Sequence, residues 1–177
     1  IKGGSMKLSE LIKKRYSARK YDPKKVEKEK LMEILEAGRV APTAHNAQPQ
    51  RVLVLEKEES LEKLKKASKT FDAPLALIVC SDLDESWKRS FDGKSSSEVD
   101  ASIITTHMML QAQDLDLGSV WVASFDPKIL REEFKIPNHL EPVSILIIGY
   151  PAGNAPSENR HDKVRKKLEE TVFYENF

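Results

Sequence analysis

A single cysteine, Cys80, stands in 177 residues, so no intrachain disulfide can form, and a reducing, cytoplasmic setting is expected. Cys80 ends an apolar run, residues 75–80, with nothing basic beside it, which reads as an inert core thiol rather than a redox centre. An excess of charge is equally absent: 29 basic against 28 acidic side chains leave a formal net charge of +1. That balance gives no basis for a nucleic-acid groove or attraction to an anionic membrane, so any basic cluster must be local and suited to a small ligand. No apolar run approaches the length that spans a bilayer, and no signal-peptide hydrophobic region opens the chain. No GxGxxG motif follows a strand-like segment, which disfavours a Rossmann dinucleotide site. His45, His107, His139 and His161 are scattered without ligand spacing, so no metal is expected, and no Ser-His-Asp or Cys-His set suggests a covalent mechanism. Residues 1–5, ahead of Met6, read as an expression leader, leaving residues 6–177 as a single domain.

What is present is organised around Arg15-Tyr16-Ser17-Ala18-Arg19-Lys20-Tyr21, directly behind an amphipathic segment at residues 7–14. Two guanidinium forks flanking a hydroxyl suit a phosphate ester; the same residues also suit a solvated basic helix end. A second helix is expected at about residues 27–37, stopped by Gly38. The loop at residues 41–50, between Pro42 and Pro49, is dense in amide side chains that can read a heteroaromatic edge, and equally resembles an ordinary connection into the strand at residues 51–55. A short lysine-rich helix around Leu61 and Leu64 precedes the buried strand at residues 75–80. Trp87 and Phe91 lie in a polar segment, either as a lid or as pins to the core. Ser95-Ser96-Ser97-Glu98 has the form of a capping box for a helix at residues 99–117, ended by Gly118. That helix is apolar nearly all round, central to a core or sealed against another subunit, and a buried, hydrogen-bonded His107 is expected within it. A strand at residues 119–123, a helix capped by Asp126-Pro127 and a strand at residues 143–149 complete four strands interleaved with helices. The basic opening of the tail at Lys163 and Arg165 is a second anion-binding candidate.

Six segments in this order resemble the nitroreductase-like family of FMN-dependent oxidoreductases: RYSARKY, APTAHNAQPQ, the buried helix after Asp100, LGSVWVASFDP, EPVSILIIGYPA and the tail KVRKKLEETVFYENF. The resemblance implies an α+β sandwich, a central mostly antiparallel sheet flanked by helices, in an intertwined homodimer with FMN between the subunits. By the same likeness Arg15, Tyr16, Ser17 and Arg19 would hold the phosphate and ribityl chain, joined by Lys163 and Arg165. Pro42, Thr43, Ala44, Asn46 and Gln48 would line the flavin ring from the other subunit, and Val122, Ala123 and Ser124 would pass its opposite face. The expected reaction is ping-pong hydride transfer from NADH or NADPH through flavin N5 to a nitroaromatic, quinone or similar acceptor, with no side-chain nucleophile. Enone reduction or dehalogenation on the same scaffold, and flavin storage without turnover, are the alternatives. Two departures from the family pattern stand out: Gln50 where many relatives carry Trp, and Ala123-Ser124 where larger members place an acidic residue and Gly. The short segment at residues 83–97 leaves room for only a small lid.

Overall fold

The computed structural model describes residues 6–177, so the leader expected at residues 1–5 lies outside the described residues. The elements run α1 (Leu8–Lys14), α2 (Lys28–Arg39), β1 (Gln50–Leu55), α3 (Glu58–Lys65), β2 (Leu75–Asp82), α4 (Ser97–Asp114), β3 (Gly118–Val122), α5 (Pro127–Phe134), β4 (Leu140–Gly149) and α6 (His161–Val164). The strands form one antiparallel sheet in the order β1-β2-β4-β3. This is the α+β arrangement expected from the sequence.

The two most apolar strands take the sheet centre because only there are both faces covered. Side chains alternate along a strand, and the two cores follow that alternation. Leu75, Leu77 and Val79 of β2, with Leu146 and Ile148 of β4, pack beneath Leu31 and Ile34 of α2 and Ile104 and Met108 of α4. Ala76, Ile78 and Cys80, with Ile145 and Ile147, pack on the other face against Leu64 of α3 and Leu130 of α5. Cys80 is buried, and burial pushes its thiol up to about 11, so it remains a protonated core group at neutral pH. Asp126 caps α5 as expected, its carboxylate accepting from the Lys128 and Ile129 amides at 2.9 and 3.0 Å.

Several local expectations are corrected. Gly38 does not stop α2, which continues through it to Arg39; a Cβ there would lie 2.9 Å from Met108 Cγ, so this glycine lets α2 approach α4. The capping box does not form as a reciprocal pair: α4 starts at Ser97, and Ser95 Oγ accepts from the Ser97 amide at 3.2 Å rather than from Glu98, while the Ser96 hydroxyl donates to Asp100. Gly118 opens β3 rather than ending α4. Residues 87–96 fold as a tight hairpin, closed by bonds from Arg89 N to Lys94 O and from Ser96 N to Trp87 O at 2.9 Å each. Phe91 sits at its tip, 95% exposed, and therefore pins nothing to the core. His107 is half-exposed and makes no side-chain hydrogen bond among the described residues, because it faces an open apolar groove between α1, α2 and α4. Leu8, Leu11, Met32, Leu35, Val40 and Leu110 line that groove. The helix that lacked a polar face is thus buried on the sheet side and left apolar on the other. No helix among the described residues is long and apolar enough to cross a membrane.

Candidate functional site

The Arg15 stretch leaves α1 and lies along the free edge of β3. Ser17 bridges Ser119 in parallel fashion, and the Ala18 amide donates to Ser119 O at 3.0 Å. Its far side is tied to the chain after β4, with Asp22 N donating to Tyr150 O and Ala152 N to Lys20 O, both at 2.9 Å. The fit is close at Gly118, where a Cβ would stand 2.8 Å from Ala18 Cβ and 3.0 Å from Pro151 Cβ. Tyr21 locks the turn by donating to Ala18 O at 2.7 Å, and burial raises its phenol well above the ordinary range. Tyr16 and Ser17 are half-buried here, while Arg19 is exposed and bends back toward Ser17 O at 3.4 Å.

The tail returns to this stretch and supplies residues that pattern reading missed. Arg160 donates to Arg15 O at 2.6 Å and to Lys13 O at 3.3 Å, and His161 Nε2 lies 2.9 Å from Lys13 O. These contacts dock the turn that carries Lys163 and Arg165 against the end of α1. Burial, and then the like charges of Arg160 and Arg165, hold the Arg15 guanidinium below its ordinary value. Among the described residues no carboxylate comes within ion-pair distance of Arg15, Arg19, Arg160 or Arg165. Arg15, Arg160 and Arg165 thus stand together without a counter-charge, chemistry that suits an anion. The signal available in the sequence was the basic pair Arg160-His161 just after the Ser157 turn, which only long-range docking makes relevant.

Val122 ends β3, and Ala123 and Ser124 continue the same edge, exposed. Neither of their amides donates to another described residue. This segment and the Arg15 stretch therefore share one edge of the sheet.

The loop that holds Pro42, Thr43, Ala44, Asn46 and Gln48 lies elsewhere. It enters β1, at the opposite edge, where Gln50 pairs with Ser81 and Ser81 with Glu141. Ser119, beside Ser17, pairs with Ile148, seven residues along β4 from Glu141. The two sites are thus at diagonal corners, about 19 Å apart across four strand spacings, counting the one from β3 to the Arg15 stretch, and roughly 23 Å apart along the strands. One protomer does not bring the two expected halves of the site together. Within the loop, Thr43 Oγ1 accepts from Gln48 N at 3.1 Å, Gln48 Nε2 donates to Asn46 O at 3.1 Å, and Ala44 N donates to Asp100 Oδ1 at 2.8 Å. Pro42, Asn46 and Gln48 are exposed.

Known proteins share this fold. The family model for the nitroreductase family matches residues 12–71 and 61–150. A protein of Methanothermobacter thermautotrophicus whose name joins NADH dehydrogenase and NAD(P)H nitroreductase is 33% identical, over 95% of this chain and 90% of its own. The FMN reductase [NAD(P)H] of Bacillus subtilis is 26% identical, over 89% of this chain and 71% of its own. Among solved structures, a nitroreductase family protein from Clostridium difficile 630 superposes with a TM-score of 0.95 at 52% identity, covering 97% of this chain and 100% of that one. An FMN-dependent nitroreductase from Clostridium difficile R20291 gives a TM-score of 0.81 at 30% identity, over 96% and 100% of the two chains. With a matching family model over most of its length and a fold shared from α1 to the tail, the chain belongs to the nitroreductase family.

Proposed function

We propose that the protein is an FMN-dependent NAD(P)H oxidoreductase that reduces small electron-poor acceptors, such as nitroaromatics or quinones, as a homodimer with FMN at the subunit interface. The observation that carries this reading is the cluster of Arg15, Arg160 and Arg165, with no carboxylate partner among the described residues and with Ser17 two residues along the same stretch. A phosphate monoester, close to doubly charged at neutral pH, would balance the half-buried Arg15 charge and its like-charged neighbours Arg160 and Arg165, and accept from several forks at once. Arg15, Ser17 and Arg19 would hold that phosphate and the adjoining ribityl hydroxyls, with Lys163 and Arg165 closing from the tail. The exposed amides of Ala123 and Ser124, farther along the same edge, offer donors to a flat polar ring system. When bound, FMN supplies hydride acceptance and release at its N5. The chain's own part is to seat the phosphate, orient the ring and exclude water from one face.

The separation of the loop with Thr43 and Asn46 from the Arg15 stretch, and the three strand spacings of roughly 14 Å between β1 and the β3 edge that carries Ala123 and Ser124, support a ring walled by the partner's loop. The apolar groove over α1, α2 and α4 gives a second copy a surface to cover. Exposed Leu168, Phe173, Tyr174 and Phe177 on the tail find cover in the same assembly. The names of the Bacillus subtilis relative and the Clostridium difficile R20291 neighbour lend NAD(P)H and FMN to the reading. The short hairpin around Phe91 favours an open acceptor site over one enclosed by a long lid.

The test is a visible absorption spectrum of the purified protein, with heat release and identification of the chromophore. The expected result is a yellow dimer that releases about one FMN per subunit and oxidises NAD(P)H steadily with a quinone. A colourless protein that ignores added FMN would overturn the reading. A tightly bound flavin without NAD(P)H oxidation would reassign the protein to flavin storage.

A further inference from the structure

Asp100 is a carboxylate placed where carboxylates are rarely found. It is 1% exposed, on the first turn of α4, and no cation among the described residues pairs with it. Its hydrogen bonds run in two directions. Oδ2 accepts from the Ser96 hydroxyl at 2.7 Å, and the Asp100 amide donates to Ser96 O at 2.8 Å, which fixes the carboxylate to its own helix start. Oδ1 accepts from the Ala44 amide at 2.8 Å, fifty-six residues away in sequence.

What Ala44 belongs to gives that bond its meaning. His45, Asn46 and Gln48 all have left-handed backbone, with φ of 55°, 53° and 52°, and none of them is glycine. Three such residues in four positions persist only where surrounding contacts hold them. The bonds inside the loop, from Gln48 N to Thr43 and from Asn46 N to Thr43 O at 3.0 Å, shape it but do not attach it to the protein body. The Asp100 bond to Ala44 does, from within the turn itself.

We propose that Asp100 is a positioning residue for the flavin. Through Ala44 it fixes residues 42–48 against α4 and so presets the wall that lines the ring. The inference rests on the FMN reading above. A charged acceptor is suited to this task, since it bonds an amide more strongly than a neutral one does and keeps two partners at once. Because Ala44 spends its amide on Asp100, the loop meets the cofactor with the side chains of Thr43, Asn46 and Gln48 instead.

The experiment compares FMN with riboflavin, which has the same ring and no phosphate, by fluorescence titration of the cofactor-stripped protein. Asp100→Ala is expected to weaken both flavins by the same factor, about ten- to a hundredfold, and to move the bound-flavin absorption band toward that of free flavin at saturation. Asp100→Asn is expected to recover binding to within about threefold, since its carboxamide oxygen still accepts from Ala44 while its NH2 turns to Ser96. A residue that serves stability alone would lower the melting temperature and leave the affinity and the band of the folded fraction untouched. Should Asp100→Ala fail to fold, Ser96→Ala carries the test, with an expected loss of about threefold for both flavins. Wild-type affinity and spectrum in the folded variant would overturn the positioning role while FMN binding stands. A wild-type protein that binds neither flavin would overturn the FMN reading itself, and this role with it.

Discussion

Replacing Arg15 by Ala tests the anion cluster at its centre. Arg15 is half-buried, it is fastened through its carbonyl by Arg160, and its guanidinium faces like charges instead of a carboxylate. A charge-assisted hydrogen bond contributes about 1.5–3 kcal/mol, so losing the contact to a phosphate corresponds to roughly 10- to 150-fold in Kd. Riboflavin, which lacks the phosphate, loses far less affinity than FMN. The ligand-free variant should melt no lower than wild type, because removing one of three mutually repelling cations relieves a cost. The difference appears on adding FMN. At a hundred times the wild-type Kd, binding stabilises the parent protein by about 2.7 kcal/mol; a Kd weakened about a hundredfold leaves only ~0.4 kcal/mol. For a chain of this size that difference is a loss of roughly 5–9 °C of ligand-induced thermal shift. Differential scanning fluorimetry with FMN and with riboflavin reads both quantities. An equal loss for the two flavins, or an undiminished shift with FMN, would refute the assignment of the phosphate to this cluster.

Two further substitutions probe what surrounds the site. Gly118→Ala puts a Cβ within 2.8 Å of Ala18 and 3.0 Å of Pro151 and must push the Arg15 stretch off the β3 edge. The expected cost is about 1–3 kcal/mol, read as a lower melting temperature together with weakened FMN binding; an unchanged melt would show that the contact yields freely. Glu27→Gln addresses pH. The Tyr150 hydroxyl at 2.6 Å, followed by Lys24 at 2.9 Å, holds the Glu27 carboxyl down to about 2. Its contribution is therefore complete above the unfolded-chain value of roughly 4.3 and fades as the pH falls toward about 2. Wild-type melting temperature should fall across that window more steeply than that of Glu27→Gln, and parallel curves would contradict the linkage.

Much of the fold is legible one segment at a time, because its determinants are local. Asp126-Pro127 caps α5 by chemistry contained within four residues. The apolar runs of β2 and β4 name themselves as central strands, since continuous apolar sequence is tolerated only where both faces are covered. The phosphate chemistry of Arg15, Ser17 and Arg19 is likewise a property of residue types at short spacing. What sequence reading misplaced are features whose cause lies far along the chain. Gly38 resembles a helix stop until Met108 is seen against it, and Ser95 with Glu98 resembles a capping box until α4 is found to start at Ser97, with Ser95 accepting only from the Ser97 amide. His107, expected inside a core, faces an open groove because its side of α4 points away from the sheet and lies between α1 and α2.

The sequence by itself determined the elements, the two-sided burial of the sheet centre and the residue types suited to a phosphate, since each follows from periodicity and side-chain chemistry within a few positions. The tertiary structure alone decided which charges meet. Arg160 reaches Arg15 across 145 residues, and Asp100 reaches Ala44 across 56. It also decided that the Thr43–Gln48 loop and the Arg15 stretch stand at opposite corners of one protomer's sheet. Strand order and register set those distances, and strand pairing is a long-range choice that local pattern does not encode.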